Sequence, residues 1–147
     1  RIVERQMLHG NYFQSQAAFI KKAFERYNVQ KVVIDKTGLG AAVFQIVQGF
    51  YPPVIGVQYS MQEKYLMINK MHALMRERRV EWELDWKDFT AAFMSIRTAV
   101  TGSGRNVTYV SGRTKELSHA DVAWAALQVF YQEPLDGAAA RGSVDVF

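Results

Sequence analysis

With 147 residues and 49% apolar side chains, the chain can build one domain around its own core and is too apolar to be a disordered polypeptide. Its net charge of +4 permits a polyanionic partner without requiring one. The absence of cysteine excludes disulfides, zinc–thiolate centres and thiol nucleophiles and is compatible with a reducing cytosol. No stretch approaches the roughly 18 apolar residues of a membrane span, and none has the layout of a signal peptide.

The opening Arg1-Ile2-Val3 reads as a strand already in mid-sheet. The chain is therefore expected to be cut from a longer polypeptide, with a fold that lacks elements preceding Arg1. Residues 2–8 predict a strand ending at Gly10. In "NYFQSQAAFIKKAFERYN", Phe13, Ala17, Ile20 and Phe24 keep helical spacing, with Lys21, Lys22 and Glu25 on the other side. "KVVID" is a short β-branched run expected to be a strand buried on both faces. "KTGLGAAVFQIVQGF" turns on its glycines and becomes helical from about Ala41, and "PVIGVQYS" predicts a third strand.

The longest helix is expected over 61–78, with Tyr65, Ile68, Met71 (or His72) and Met75 near one face. "VEWEL" reads as a short strand or extended segment, and "DWKDFTAAFMSIRTAV" as a helix throughout. "TGSGRN" is a turn, "VTYVS" a strand and "GRTKEL" a polar loop. Ser118 is expected to begin the last helix, which ends near Glu133-Pro134, and residues 135–147 are small and polar enough for a tail. Residues 1–134 then form one α/β domain with middle strands at least partly parallel.

Two acids stand out by position. Asp35 closes a strand, and ligands of open α/β sheets bind beyond such strand ends. The competing reading has its carboxylate bonded to backbone amides of the "KTGLG" turn. Asp121 falls three residues after Ser118, which resembles a capping box and suits the helix dipole. The apolar run behind it, Val122 to Ala126, instead suggests a carboxylate at a pocket floor, with His119 beside it. Two such oxygen donors suit magnesium or manganese. Histidines at 9, 72 and 119 are too scattered for a zinc site. "TGLG" has the spacing of neither nucleotide fingerprint, which counts against a nucleotide-binding domain. Lys36, Arg105, Arg113 and Lys115 fall in loops flanking the two acids and are of the type that contacts phosphate, although a solvated loop explains each one singly. Arg76, Arg78 and Arg79 end a helix, where cations suit the dipole.

Taken in order, "VVIDKTGLGAAVFQIV", the strand with "YS" followed by Lys64, and "SHADVAWAALQVFYQEPL" resemble the carboxyl-terminal nuclease domain of the large terminase subunit of tailed phages. The resemblance spans most of the chain. It implies a ribonuclease H-like fold, with a mixed central sheet flanked by helices, and metal-dependent cleavage of double-stranded concatemeric DNA in the host bacterial cytoplasm. It also implies a terminase small subunit and a portal as partners of the intact protein. By motif match Asp35 is the acid after the central strand and Asp121 the acid of the last helix, both metal ligands, with His119 in a supporting role.

The resemblance departs at one point. The first acid of the family lies on a strand before the segment that begins at Arg1, and Glu4, the nearest acid, sits on a later strand and is not assigned that role. The chain alone is therefore expected to bind magnesium or manganese weakly and to cut poorly. It carries no Walker motif and no ATPase activity is expected of it. The alternative to a packaging nuclease is a non-catalytic DNA-binding or motor-docking module. The nuclease reading requires Asp35 and Asp121 to converge.

Overall fold

The computed structural model describes residues 1–8, 12–102, 104, 107–111, 120–135 and 144–146. In chain order the elements are β1 (Ile2–Arg5), α1 (Phe13–Arg26), β2 (Val33–Asp35), α2 (Gly40–Phe50), β3 (Ile55–Val57), α3 (Met61–Arg76), α4 (Lys87–Met94), β4 (Ile96–Val100), β5 (Val107–Ser111), α5 (Asp121–Tyr131) and β6 (Val144–Val146). They fall into two compact units, one of Arg1–Gln6 with Ser60–Val146 and one of Met7–Tyr59. None of the described helices is long and apolar enough to cross a membrane.

The Met7–Tyr59 unit is a helix followed by a βαβ element. β2 and β3 run parallel in the register Val33↔Ile55, Ile34↔Gly56 and Asp35↔Val57, with α2 as the crossover that a parallel pair requires. The apolar stripe of α1 buries Ala17 and Ile20 against Val43 and Val47 of α2 and Val54 before β3. Phe13 and Phe24 pack around that core as their spacing predicts. Phe24 meets Phe50 edge-on at 6.2 Å and Tyr51 at 5.1 Å, geometries that suit the ring quadrupoles. Gly56 is where the Phe44 ring lies on the strand: a Cβ there would stand 2.9 Å from a ring carbon. β2 is half-buried along its length, not covered on both faces as expected, and its one ladder partner among the described residues is β3.

In the other unit α5 packs against both α3 and α4. Ala120, Ala123 and Ala126 recur every third residue and are nearly fully buried, which suits close approach of neighbouring helices, while Leu127 and Phe130 fill the space beyond. Trp82 stacks on Phe93 at 5.5 Å, and the fully buried Phe89 meets Trp82, Trp86 and Phe93 edge-on. β1 lies alongside this cluster. The Ile2 side chain is fully buried and its N–H bonds to the Glu81 carbonyl at 2.8 Å, so "VEWEL" is an extended segment without a ladder among the described residues. Arg5 covers the Trp86 ring at 5.1 Å and pairs with Asp88. On its other side β1 pairs in parallel with β6, which lies inside the segment read as a tail.

Several expectations shift. The described ladders are three separate pairs, β1–β6 and β2–β3 parallel and β4–β5 antiparallel, because strands of three to five residues each find a single partner. The helix expected through Val100 stops at Met94. Ser95 turns its hydroxyl onto the Ala92 carbonyl at 2.8 Å, and "IRTAV" becomes β4, paired with β5 across the predicted turn. The buried face of α3 is Met67, Ile68, Met71 and Leu74, whereas Tyr65 and Met75 are half exposed. α3 begins with a cap that the sequence reading passed over: Ser60 Oγ accepts from the Glu63 N–H at 3.0 Å, in the Ser-x-x-Glu pattern of a capping box.

α3 ends in a Schellman turn. The Arg79 N–H bonds to Leu74 O at 2.9 Å and the Arg78 N–H to Met75 O at 3.0 Å, with Arg78 in the left-handed region at φ 56°. A left-handed side-chain residue costs about 1–2 kcal/mol, and glycine adds about 0.4–1 kcal/mol of unfolded-state freedom. Arg78→Gly is therefore expected to stabilise this unit by about 0.5–1 kcal/mol, read as a higher urea midpoint at unchanged slope; a lower midpoint would contradict the turn. The Arg5 hydrogen bond, with its charge, holds the Asp88 carboxyl below its ordinary value of 3.8. A depressed folded pKa contributes stability that is present above 3.8 and lost as pH falls through the lower folded value. The stability gap between wild type and Asp88→Asn should accordingly be open at neutral pH and close under acid below that point, as followed by denaturation at a series of pH values.

Candidate functional site

Asp35 ends β2, and its surroundings are built almost wholly from backbone. Its Oδ1 accepts the Thr37 N–H at 2.7 Å, an Asx turn that leads the chain off the strand. Gly38 follows in the left-handed region at φ 59°, which a side-chain residue adopts only under strain. Gly40 then opens α2 so close to the strand that a Cβ on it would lie 1.9 Å from the Asp35 carbonyl oxygen. The Lys36 N–H bonds to Val57 O at 2.9 Å, and Thr37 Oγ1 accepts from the Tyr59 N–H at 3.2 Å, so the carboxyl ends of both strands are tied together. The amide-bonded reading of Asp35 holds for one oxygen. Among the described residues the other oxygen has no partner, on a side chain that is half exposed. The Lys36 ammonium lies 5.7 Å from the Phe44 ring centroid.

Asp121 is the first residue of α5. The cap position is Ala120, which makes no side-chain cap bond, and the expected start at Ser118 lies outside the described residues. Asp121 is exposed while Ala120, Ala123 and Trp124 are buried, so the acid stands at the surface end of the helix and not on a pocket floor. A carboxylate there is stabilised by the helix dipole, by about 0.3–1 kcal/mol. Close by is Lys64, whose ammonium lies 5.4 Å from the Trp124 ring centroid and 3.5 Å from the Tyr109 carbonyl oxygen. Sequence reading gave Lys64 no role; its signal was only the position after the "YS" strand end.

Arg79 does more than face a helix dipole. Its guanidinium pairs with Glu133 at 2.9 Å and Glu77 at 3.2 Å and donates to the carbonyls of Pro134 at 2.8 Å and Leu135 at 3.2 Å. It thereby gathers the "EPL" segment after α5 onto the end of α3, a planar multi-donor task suited to arginine. His119, Arg105, Arg113 and Lys115 lie outside the described residues. Asp35 stands in the Met7–Tyr59 unit and Asp121 in the other. Among the described residues no three histidine, aspartate or glutamate side chains gather as a metal cluster. Each of Asp35 and Asp121 is by itself an oxygen donor of the type a hard divalent ion takes, and Asp35 keeps one oxygen clear of protein donors among the described residues.

Residues 1–132 match the Terminase RNaseH-like domain family, and the chain belongs to it. The ribonuclease H-like α/β class expected from the motifs holds, in a mixed arrangement of helices and small sheets. The chain is similar to the "Terminase, ATPase subunit" of Escherichia phage P2, 42% identical over 135 residues, covering 92% of this chain and 23% of that protein. It is also similar to the "Probable terminase, ATPase subunit" of Haemophilus phage HP1 (strain HP1c1), 30% identical over 136 residues, covering 92% of this chain and 22% of that one. The chain thus spans under a quarter of the length of these curated relatives. No solved structure matches it.

The contact at Gly40 is with backbone, which cannot swing aside. Gly40→Ala is expected to destabilise the chain by about 1–3 kcal/mol, as overpacking does, and to displace Asp35 with it. A melting temperature equal to wild type would show that α2 and the end of β2 do not approach as described.

Proposed function

We propose that this chain is part of the DNA-cleaving module of a phage terminase large subunit, which as a full-length protein is a two-metal-ion endonuclease that cuts concatemeric double-stranded DNA during packaging in the host bacterial cytoplasm; the chain alone, without the family's first acid, binds the metal weakly and cuts poorly. The observation that carries the reading is the setting of Asp35: a carboxylate at the carboxyl end of a parallel strand, one oxygen anchored by the Thr37 amide, the other left for a ligand. Membership of the terminase RNaseH-like family supports it. The names of the two phage relatives speak of an ATPase subunit, but this chain has no phosphate loop, so its contribution is the cutting and not the motor.

In this reading Asp35 and Asp121 hold magnesium or manganese. Bound there, the ions would lower the pKa of a water and neutralise charge on the leaving oxygen. The Thr37 N–H fixes the rotamer of Asp35, and Gly40 presses α2 against the strand so that the carboxylate cannot drift. Asp121 stands in the first turn of α5, where the helix dipole favours a negative charge. Lys36, Arg105, Arg113 and Lys115 contact backbone phosphates, and His119 orients a water or a phosphate. Hydrolysis forms one oxygen–phosphorus bond from water and breaks one phosphorus–ester bond; the departing DNA oxygen leaves as a hydroxyl and takes a proton. Double-stranded DNA is the substrate, and the terminase small subunit and portal are the partners of the whole protein.

In the full subunit, Asp121→Ala is expected to reduce plasmid cleavage by more than the about 10–100-fold that loss of a merely supporting residue costs at a metal site, with DNA binding retained. Cleavage undiminished in the mutant would remove Asp121 from the machinery. A wild-type subunit that binds DNA in magnesium or manganese without cutting would instead make this a DNA-gripping or motor-docking module.

A further inference from the structure

Lys64 takes no part in the metal-binding chemistry described above. We propose that it is a phosphate-binding residue of the Asp121 site, gripping a non-bridging oxygen of the DNA backbone; this rests on the nuclease reading and deepens it. Asp121 and Trp124 are three residues apart on α5, hence on one face with Cβ atoms about 5–6 Å apart. Helical side chains lean toward the amino end, which carries the indole toward the level of Asp121. The Lys64 ammonium lies 5.4 Å from the centre of that ring and 3.5 Å from the Tyr109 carbonyl oxygen. Three elements, α3, β5 and α5, therefore hold a single cation beside the first turn of α5.

The nature of its partners gives the inference its force. A lysine that only covers apolar surface sends its head to open water. This one is half-buried, and among the described residues its ammonium is met by a ring face and a carbonyl, neither of which is an anion. Such partners fix an ammonium in place without neutralising it. A fixed cation one helical turn from a metal-holding carboxylate weakens metal affinity on its own account. It helps a substrate whose oxygens carry negative charge into the site and gain more of it during hydrolysis.

The test uses the full subunit and a short DNA duplex in EDTA, so that binding is read without cleavage. Fluorescence anisotropy across a salt series compares wild type with Lys64→Met, which keeps an apolar stem on Trp124, and Lys64→Arg, which keeps the charge. Lys64→Gln replaces the Met variant if that one fails to fold. The salt slope of log K is expected to shrink by about 1 in the uncharged variant, equally for duplexes of different sequence, and to survive in Lys64→Arg. With magnesium and saturating DNA, the uncharged variant should also cut at least about tenfold more slowly, within the about 10–100-fold scale of a supporting group. An unchanged slope, whatever happens to the melting temperature, would mean that Lys64 serves packing alone and overturns the proposal. A reduced slope with an unchanged cutting rate would place the phosphate contact away from Asp121 and overturns it as well. Because the slope is read without catalysis, failure of the nuclease reading, seen as undiminished cutting by Asp121→Ala, is distinguishable from failure of this one.

Discussion

The approach of α2 to the end of β2 is the constraint on which the Asp35 site depends. A backbone carbonyl and a helix start cannot share the space at Gly40 unless that residue has no side chain. This one contact sets where the helix begins and how tightly the strand end is held. The bonds of Thr37 to Asp35 and to the Tyr59 amide close the same turn from the other side. A carboxylate on a loose loop would lose rotamer freedom each time it met a ligand. Here the backbone has already removed that freedom during folding.

The other unit solves a different problem with α5. That helix is apolar on nearly every side and must be enclosed, which α3 and α4 do along its length. Its ends are consequently what remains to face solvent. Asp121 occupies the amino end, where an ionised carboxylate is favourable, and the carbonyls beyond the carboxyl end are collected by Arg79. The "EPL" motif thus has a physical partner in the chain, a guanidinium presented by the turn at the end of α3. Charged side chains at both ends frame a helix whose middle carries none.

Much of this was legible along the chain. Each of the five helices among the described residues was anticipated, and the apolar spacing of Phe13, Ala17, Ile20 and Phe24 located α1 and its inward face. The glycines of "KTGLG" announced the turn after Asp35. Two signals were misread. "SIRTAV" follows a helix without a glycine or proline to end it, so the continuous pattern hid a switch that Ser95 makes by bonding back to Ala92. On α3, Tyr65 and Met75 share the period of the core residues, and a shift of about one position in the stripe moves them to solvent. Ser118, read as the start of the last helix, lies outside the described residues, and α5 begins at Asp121 behind Ala120.

What the sequence determined by itself was local: periodicity places helix and strand, and the residue types at 35 and 121 supply carboxylate oxygen donors, because those preferences belong to the residues and travel with them. What only the tertiary structure decided was pairwise and distant. That Gly40 must be glycine because of the Asp35 carbonyl, that Arg79 holds Pro134 and Leu135, and that the Lys64 charge rests on Trp124 and Tyr109 all depend on which elements come to lie together. No pattern along the chain encodes such meetings, because they arise from how whole helices and strands bury their apolar faces against one another.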